Sequence, residues 1–523
     1  MKAPYKVLFS NDTTNILTCT SPYHAKGEPF RPEMLEATVD EVAETGVDAH
    51  FIQLAHGQVP WYQSKVYPIE EHLRWWRQHF GVDPMTNPKG ADSVHQYLLD
   101  GGDLLTVFIN RCRKTGQAPF VSLRLNDVHF VNHVHDKGNL LGTHAISRFY
   151  VDNLDCRLGT NLNDWLQRTL DWSRDAVRDH MFAMIEEQCE NYDIDGFELD
   201  FMRFPHFFDP ERTTPNERVK IMTAFIGRVR EVLDRTARNG RHRWLCVRIP
   251  AHQCAHDGLG IDLPKWVDAG VEIVNLSYHF FTEQDGDYAE LRQLVPDTSM
   301  VLEMTQCTSA GPVATSGEHD NFTFRRTTRH QFETTAHLAY ANGLDGISVF
   351  NFVYYRSHGG EARGPFNEPP FEVFEHMNDP DWLAQQPQHY FLGKPWECPH
   401  GLGLPLPRTI AVGAPEAFEL RMAPPSGGWK HNGRLRIQST EDLGNSRWRA
   451  VFNGVELAEN PDRSEPYGTP YPPLLGTPEQ HRAWTVPADL SKDGMNTVEI
   501  TLLHGDKTVP VVFLDIAIPV ENQ

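Results

Sequence analysis

Short apolar runs alternate with amphipathic stretches along most of the chain. This alternation is typical of a parallel sheet covered by helices. Eight of the runs are predicted to be strands, and eight parallel strands are the number that closes a (β/α)8 barrel. The runs are Lys6–Asn11, Ala49–Leu54, Phe120–Leu125, Ile194–Phe201, Trp244–Pro250, Glu272–His279, Met300–Thr305 and Gly346–Phe352.

The helix after the fourth run has a readable start. Thr214 is predicted to be the N-cap, Pro215 the first helical residue and Glu217 the third, which together form a capping box. Apolar residues then recur at three-and-four spacing from Val219 to Leu233. This spacing predicts one apolar face that packs on the barrel, and Asn239-Gly240 is predicted to end the helix.

The pattern changes near Gly401, where a segment rich in proline and glycine is followed by strand-like runs with no helical period. Turn residues such as Asn453-Gly454 and Asp493-Gly494 separate these runs, which favours an antiparallel β-sandwich. The predicted strands lie around 435–437, 448–452, 496–502 and 511–514. We therefore expect a barrel over residues 1–393, a linker over 394–404, and a sandwich over 405–523 that buttresses the barrel or binds glycan.

Composition narrows the set of partners. The 523 residues include 70 acidic and 48 basic side chains, for a formal charge of -22. Such a charge repels phosphate backbones and anionic membrane surfaces, so neither nucleic acid nor a membrane is an expected partner. No apolar run approaches the roughly 20 residues of a membrane span, and the first twelve residues lack the apolar stretch of a signal peptide. We expect a soluble chain, either cytoplasmic or exported with its signal trimmed, and the sequence leaves its oligomeric state open.

Cysteine and histidine spacings bear on metal binding. The eight cysteines show no CxxC pair, which favours reduced, structural thiols. His129, His133, His135 and His144 follow the third run, and their spacing could bind a metal. Histidine also hydrogen-bonds sugar hydroxyls, and no helix carries a carboxylate–histidine motif here. We therefore expect no metal and no other cofactor. The alternatives are a metal-dependent hydrolase or polysaccharide lyase that uses these histidines, and a non-catalytic glycan-binding protein.

Strand alternation places several acids inside the barrel. Glu198 and Asp200 are two residues apart, so their side chains share one face of the strand. The side chains of Phe197, Leu199 and Phe201 lie on the other face. On the seventh run, the same parity turns Glu303 toward the axis. Because barrel active sites lie at the C-terminal ends of the strands, these acids are candidate catalysts.

Hydrolysis of a glycosidic bond needs one acid to protonate the leaving oxygen and a second carboxylate to act as nucleophile or to activate water. Asp200 is predicted to be the most accessible acid, because it ends its strand, and Glu303 to act with it from across the barrel. Glu198, one layer deeper, would then tune or position Asp200. Two alternatives stay open: Glu198 and Asp200 are themselves the acid and the water-positioning group, or the inward acids are simply ion-paired with arginines.

Other polar residues near the strand ends are candidate substrate ligands. They are Asn11, Asp12, His56, Arg124, Asn126, His129, Arg203, Arg248, Asn275, Tyr278, His279 and Asn351. The three arginines among them have two interpretations, ion pairs with the catalytic acids or a binding patch that would suit an acidic polysaccharide.

Aromatic rings near the strand ends could stack on sugar faces, although their bulk suits core packing equally well. These rings are Trp61, Tyr62, Trp75, Trp76, Tyr278, Phe280, Tyr354 and Tyr355.

The fourth run and its continuation, IDGFELDFMRFP, resemble the strand-four signature of glycoside hydrolase-like barrels, including the family-10-like glycosyl hydrolases. The residues that match the D-G-x-x-x-D-[YF]-x-R-F-P pattern are Asp195, Gly196, Asp200, Phe201, Arg203, Phe204 and Pro205. The resemblance covers the barrel and implies sugar hydrolysis without fixing the substrate, the linkage or the stereochemical course.

The same stretch is similar to the DGFRxD stretch of amylase-type barrels, whose nucleophile aligns with Asp200. Those enzymes have an arginine two residues before the nucleophile, where this chain has Glu198. On strand five, this chain has Arg248 and no acid. The two departures argue against the amylase arrangement of catalytic groups.

Overall fold

The computed structural model describes residues 2–12, 15–18, 28–81, 85, 91–134, 145–310, 324–356, 369–395, 405–467, 475–505 and 507–520. Eight strands form a closed barrel in which chain neighbours are sheet neighbours and the last strand returns to the first. The strands are β1 (Val7–Asp12), β2 (Ala49–Gln53), β3 (Ala118–Arg124), β4 (Gly196–Asp200), β5 (Trp244–Pro250), β6 (Ile273–Ser277), β7 (Ser299–Thr305) and β8 (Gly346–Phe350). From β1 through β6 each neighbouring pair is parallel. The predicted (β/α)8 barrel is confirmed, and every predicted strand lies within two residues of its observed bounds.

Helices connect the strands. They are α1 (Asn15–Thr18), α2 (Pro32–Asp40), α3 (Ile69–Phe80), α4 (Ala91–Leu99), α5 (Leu104–Thr115), α6 (Arg148–Asp152), α7 (Asp175–Asn191), α8 (Pro215–Arg235), α9 (His256–Leu259), α10 (Leu263–Asp268), α11 (Tyr288–Leu294), α12 (Arg329–Ala341) and α13 (Pro380–Leu383). The predicted capping box of α8 is confirmed: the Glu217 backbone N–H donates to the Thr214 hydroxyl, and the Glu217 carboxylate accepts from the Thr214 N–H. The helix ends at Arg235, earlier than predicted, and Asn239 and Gly240 instead form a left-handed turn beyond it.

The N-terminal ends of the strands are closed by an apolar plug. Inward side chains from β1 to β7 pack there into one buried cluster, which includes Phe51, Phe120, Trp244 and Val301. Apolar residues therefore fill one end of the barrel interior, and the charged residues of the interior are left to the other end. This division is typical of barrels whose stability and chemistry lie at opposite faces.

Gly196, the glycine of the IDGF stretch, is required by this plug. A Cβ added at Gly196 would lie 2.0 Å from Cε1 of Phe120, whose ring stacks on Phe51 at 4.3 Å and cannot move aside. Gly196→Ala is expected to lower the free energy of unfolding by about 1–3 kcal/mol through overpacking. Urea unfolding followed by circular dichroism would measure this change.

The matched control is Gly227→Ala within α8, where an added Cβ meets no atom within 4 Å. That substitution is expected to be neutral or to stabilise the protein by up to about 1 kcal/mol, because alanine is the better helix former. Equal effects of the two substitutions would contradict the steric argument at Gly196.

Two antiparallel sheets follow the barrel strands. Their members are β9 (Gln388–Leu392), β10 (Arg408–Ile410), β11 (Pro415–Met422), β12 (Gly433–Ser439), β13 (Arg447–Phe452), β14 (Val455–Glu456), β15 (Ala458–Glu459), β16 (His481–Val486), β17 (Gly494–His504) and β18 (Val509–Ile518). One sheet has the order β9-β18-β12-β16-β15, with β10 also on β18, and the other β11-β17-β13-β14. Residues of both sheets share one core, so the predicted C-terminal β domain is confirmed. The predicted turn at Asn453-Gly454 joins β13 to β14 with both residues left-handed.

Two short hairpins lie outside these sheets. One pairs Ala55–His56 with Val59–Pro60, and the other pairs Cys307–Ala310 with Phe324–Arg326. Of the eight cysteines, six are described, and of these six Cys254 is exposed and the other five are buried. Within the described parts of the chain, no helix has both the length and the apolar character needed to span a membrane.

The chain divides into two compact units. Unit 1 comprises Met1–His279, Glu290–Val301 and Cys398–Leu402, and unit 2 comprises Phe280–Ala289, Leu302–Glu397 and Gly403–Gln523. Strand β9 pairs with β18 and so belongs with the C-terminal sheets, ahead of the predicted linker. The predicted bounds of 1–393, 394–404 and 405–523 differ from these units, and they stay a prediction about which parts of the chain fold independently.

Candidate active site

Glu198 lies in the interior of the barrel. Its carboxylate accepts hydrogen bonds from Ser122 Oγ on β3, at 2.8 Å, and from Asn275 Nδ2 on β6, at 3.3 Å. The Cys246 thiol on β5 donates to it at 3.4 Å. Because β6 is two strands away from β4, the bond from Asn275 has to cross the interior. The parity that predicted an inward Glu198 is therefore seen directly in its contacts.

Asp200 lies between two arginines. The strand register places Arg124 and Arg248 opposite Asp200 on either side, on β3 and β5. Arg248 Nη1 donates to both carboxylate oxygens at 3.0 Å, and Arg124 Nε lies 4.0 Å from Oδ2. The backbone N–H of Met202 also donates to Oδ1, at 2.7 Å. Two guanidinium groups therefore flank the carboxylate at the C-terminal end of β4.

The expected difference in accessibility among the three acids is not seen. The exposed fractions of Asp200, Glu198 and Glu303 are 2%, 1% and 1%. Asp200 ends its strand as predicted, but the guanidinium groups that neutralise it also cover it. Glu303 is on β7, within unit 2.

Arg124 binds more than one acid. Its Nη2 donates to Asp12 Oδ2 at 2.8 Å, and its Nη1 lies 3.4 Å from Asp127 Oδ2. Burial by itself lowers the pKa of Arg124, but Asp12, Asp127 and Asp200 outweigh burial and raise that pKa above its ordinary value. Arg124 is thus a fully ion-paired cation at the centre of three carboxylates.

Beyond Asp127, a chain of polar contacts reaches the loop after β6. His129 Nδ1 lies 2.5 Å from Asp127 Oδ1, and His129 Nε2 contacts Arg203 Nη2. The other terminal nitrogen of the Arg203 guanidinium, Nη1, lies 3.2 Å from His279 Nε2. A guanidinium group can only donate, so both imidazoles accept at Nε2 and are assigned as neutral, Nδ1-protonated rings.

The electrostatics agree with this tautomer. Burial and then Arg203 lower the pKa of His129, which favours the neutral ring. Burial would raise the pKa of Asp127, but the adjacent His129 and the two arginines hold that pKa well below its usual range. Asp127 therefore remains an anion that orients His129.

The backbone is left-handed at four non-glycine residues in the loops that follow β3, β4, β6 and β8. These residues are Phe130 (φ 63°), Phe204 (φ 51°), His279 (φ 69°) and Asn351 (φ 52°). Such a conformation costs roughly 1 kcal/mol or more for a side chain as bulky as phenylalanine, and it concentrates at functional sites. All four lie just beyond the C-terminal ends of barrel strands, where barrel active sites are found.

Several other predicted ligands are occupied by internal hydrogen bonds. The amide of Asn11 contacts His50 at 3.5 Å and Asn15 at 3.3 Å. Asn126 accepts from the backbone N–H of Leu170 at 2.9 Å and donates to the carbonyl of His206 at 2.7 Å. The side chain of Asn126 therefore clamps two loops together within unit 1.

The remaining predicted ligands differ in their surroundings. Tyr278 is buried with its ring against His252, and Asn351 precedes a short 3-10 helix, Phe352–Tyr355. His56 lies in a short strand, but its side chain is outside the described part of the chain, as are all atoms of His135 and His144. Of the described members of the predicted histidine cluster, His129 has both ring nitrogens engaged, so it does not offer a free metal ligand.

Sequence reasoning missed two residues of this region. Asp127 was not singled out, although its Asp-x-His spacing with His129 is a readable signal for an acid that orients an imidazole. Trp165 lies in an irregular loop with no periodic pattern, and it is half exposed. The aromatic residues for which sugar stacking and core packing were both open are buried, apart from the partly buried Trp75.

No family model and no curated protein matches the chain. Among solved structures it is similar to α-L-fucosidase isoenzyme 2 from Paenibacillus thiaminolyticus, at 12% identity and a TM-score of 0.41 over 73% of this chain and 49% of that one. It is also similar to the endo-β-1,4-mannanase from Thermotoga petrophila, at 11% identity and a TM-score of 0.42 over 99% and 98% of the two chains.

A third similar structure is an Anoxybacillus α-amylase, at 10% identity and a TM-score of 0.38 over 99% of each chain. The match to the fucosidase spans about half of that protein's length. Because these likenesses are distant, the barrel rests on its own strand order, and the resemblance to family-10-like glycosyl hydrolases rests on the strand-four motif.

Proposed function

We propose that this chain is a glycoside hydrolase that cleaves a poly- or oligosaccharide with carboxylate chemistry. The observation that supports this most directly is the anionic Asp200 between Arg124 and Arg248, at the C-terminal end of β4. Active sites of (β/α)8 barrels lie at this end. A fixed negative charge there suits a transition state in which the sugar ring becomes positively charged.

The environment of each acid suggests its role. Asp200 is paired with cations and fits the nucleophile, or the base that activates water, better than a proton donor. Glu198 accepts from the neutral donors Ser122, Cys246 and Asn275, and we assign it to positioning. We assign the proton donor to Glu303, whose pairing with Asp200 across the barrel stays a prediction.

The contacts of Arg124 and Arg248 favour ion pairing over an acidic-substrate patch. Arg124 and Arg248 both contact carboxylates, so ion pairing accounts for them without an acidic substrate. Arg203 instead contacts His129 and His279. Arg203 thus fixes the orientation of both imidazole rings.

A reducing-sugar assay on a panel of polysaccharides tests the proposal. Galactomannan, xylan, soluble starch, carboxymethylcellulose and polygalacturonate would each be incubated with the purified chain, with and without EDTA. We expect new reducing ends from at least one of them, at the same rate after chelation. Activity that EDTA abolishes would favour a metal-dependent hydrolase, and products with an unsaturated end would identify a lyase. Binding without cleavage of any polysaccharide would favour a glycan-binding protein.

A further inference from the structure

Trp165 presents an aromatic ring at the protein surface near the candidate active site. Half of its surface is exposed, whereas most described tryptophans are buried. One side of the indole stacks on Phe204, with the ring centres 4.5 Å apart and an interplanar angle of 26°. Phe204 directly follows Arg203 in the chain.

The face of the Trp165 indole opposite Phe204 is not covered by its aromatic and cationic neighbours. Arg168 Cζ lies 4.5 Å from the centre of the Trp165 ring and 4.9 Å from that of Phe204. If Arg168 covered the face opposite Phe204, it would be about twice as far from Phe204 as from Trp165. Arg168 and Phe204 therefore lie on the same side of the indole, and neither of them covers the opposite face.

The loop that carries Trp165 is held in place by its own hydrogen bonds. Asp164 accepts from the backbone N–H groups of Leu166 and Gln167, at 2.8 and 3.2 Å, which fixes the turn at Trp165. These two bonds lower the pKa of Asp164. Further along, Leu170 is held by Asn126 at the end of β3. A ring held in this way loses little conformational freedom when a ligand binds.

Contacts connect this ring to the polar chain of the candidate active site. The Phe204 ring meets the His129 ring edge to face, with centres 5.1 Å apart. The guanidinium of Arg203 lies over the same Phe204 ring, at 5.3 Å. Trp165 is thus one aromatic layer away from the His129–Arg203 pair.

We propose that the open face of Trp165 is a stacking surface for a pyranose ring of the carbohydrate substrate. The apolar C–H face of a sugar packs against an indole, while its hydroxyl groups stay in water or reach polar neighbours such as Arg168. The inference rests on the proposed function, because it assigns a binding subsite to the same active site. Trp165 is exposed, whereas most of the aromatic residues considered from the sequence are buried.

Three variants test the subsite: Trp165→Ala, Trp165→Phe, and Leu154→Ala as a control. Leu154 is 65% exposed and lies in the same unit. The readouts are retardation in native gels that contain galactomannan, xylan or soluble starch, and KM and kcat on any polysaccharide that the wild type cleaves. Thermal melts establish that each variant is folded.

Trp165→Ala is expected to raise KM, or the dissociation constant from the gels, by about 10-fold or more, with kcat much less affected. Trp165→Phe keeps a flat ring and should lose less affinity, and Leu154→Ala should match the wild type. Wild-type KM and retardation in Trp165→Ala would overturn the subsite while leaving the hydrolase proposal intact. If the wild type is retarded but cleaves nothing, and Trp165→Ala is no longer retarded, the subsite would be supported and hydrolysis overturned. A wild type that neither binds nor cleaves would overturn both.

Discussion

Asp200→Asn is expected to lower kcat on the polysaccharide that the wild type cleaves by at least about 10³-fold, as expected when an active-site carboxylate is lost. The amide cannot supply the charge that the sugar cation requires. The same change removes an anionic partner of the buried Arg248, so we also expect the free energy of unfolding to fall by roughly 3 kcal/mol. Rates measured well below the melting temperature separate the two effects.

Asp195→Asn is the matched control for this experiment. Asp195 precedes the same strand at its N-terminal end and accepts from Arg113 Nη2 at 2.6 Å. Its loss should cost about 1–2 kcal/mol of stability, because this ion pair is partly exposed, and kcat should remain close to the wild-type value. A folded Asp200→Asn enzyme with wild-type kcat would remove Asp200 from the mechanism.

Arg436→Met is expected to produce the largest loss of stability, about 3–5 kcal/mol. Arg436 is buried in unit 2, with Nη2 2.6 Å from Asp515 Oδ2 and 2.9 Å from Glu465 Oε2. Burial would raise the pKa of Glu465, but Arg325 and Arg436 outweigh it and lower that pKa to about 2. Without Arg436, two buried carboxylates lose a shared cation. Denaturant unfolding followed by tryptophan fluorescence would measure the effect.

Arg434→Met, two residues earlier on β12, provides the comparison. Arg434 pairs with Asp462, whose side chain is 56% exposed. An ion pair of this kind contributes about 0–1 kcal/mol, because water competes for both charges. Similar losses from the two substitutions would show that burial of the Arg436 network adds nothing to its strength.

The sequence was sufficient to predict the barrel strands, because each is a short apolar run with clear polar boundaries. Period-two alternation also predicted that Glu198 and Asp200 share the inner face. Alternation does not specify the register between strands, and the register decides that Arg124 and Arg248 flank Asp200. For this reason the sequence suggested an accessible Asp200, whereas the structure has a covered one.

Residues in irregular loops were harder to predict. Trp165 is held by turn hydrogen bonds and by a ring that follows a different strand, and neither feature leaves a periodic signal in the sequence. The predicted aromatic residues near the strand ends could have been exposed or buried, because apolar bulk alone does not distinguish the two.

The position of β18 has a consequence for the order in which the protein folds. This strand lies between β9 and β12 in its sheet and also pairs with β10, so three strands made earlier depend on it. The pairing of Gln388 with Ile518 is among the long-range contacts that slow folding. During synthesis β9 cannot pair with β18 until β18 leaves the ribosome. Before that point, the unpaired edge of β9 is a site for association with other chains. Completion of this sheet is therefore a late step in the folding of unit 2.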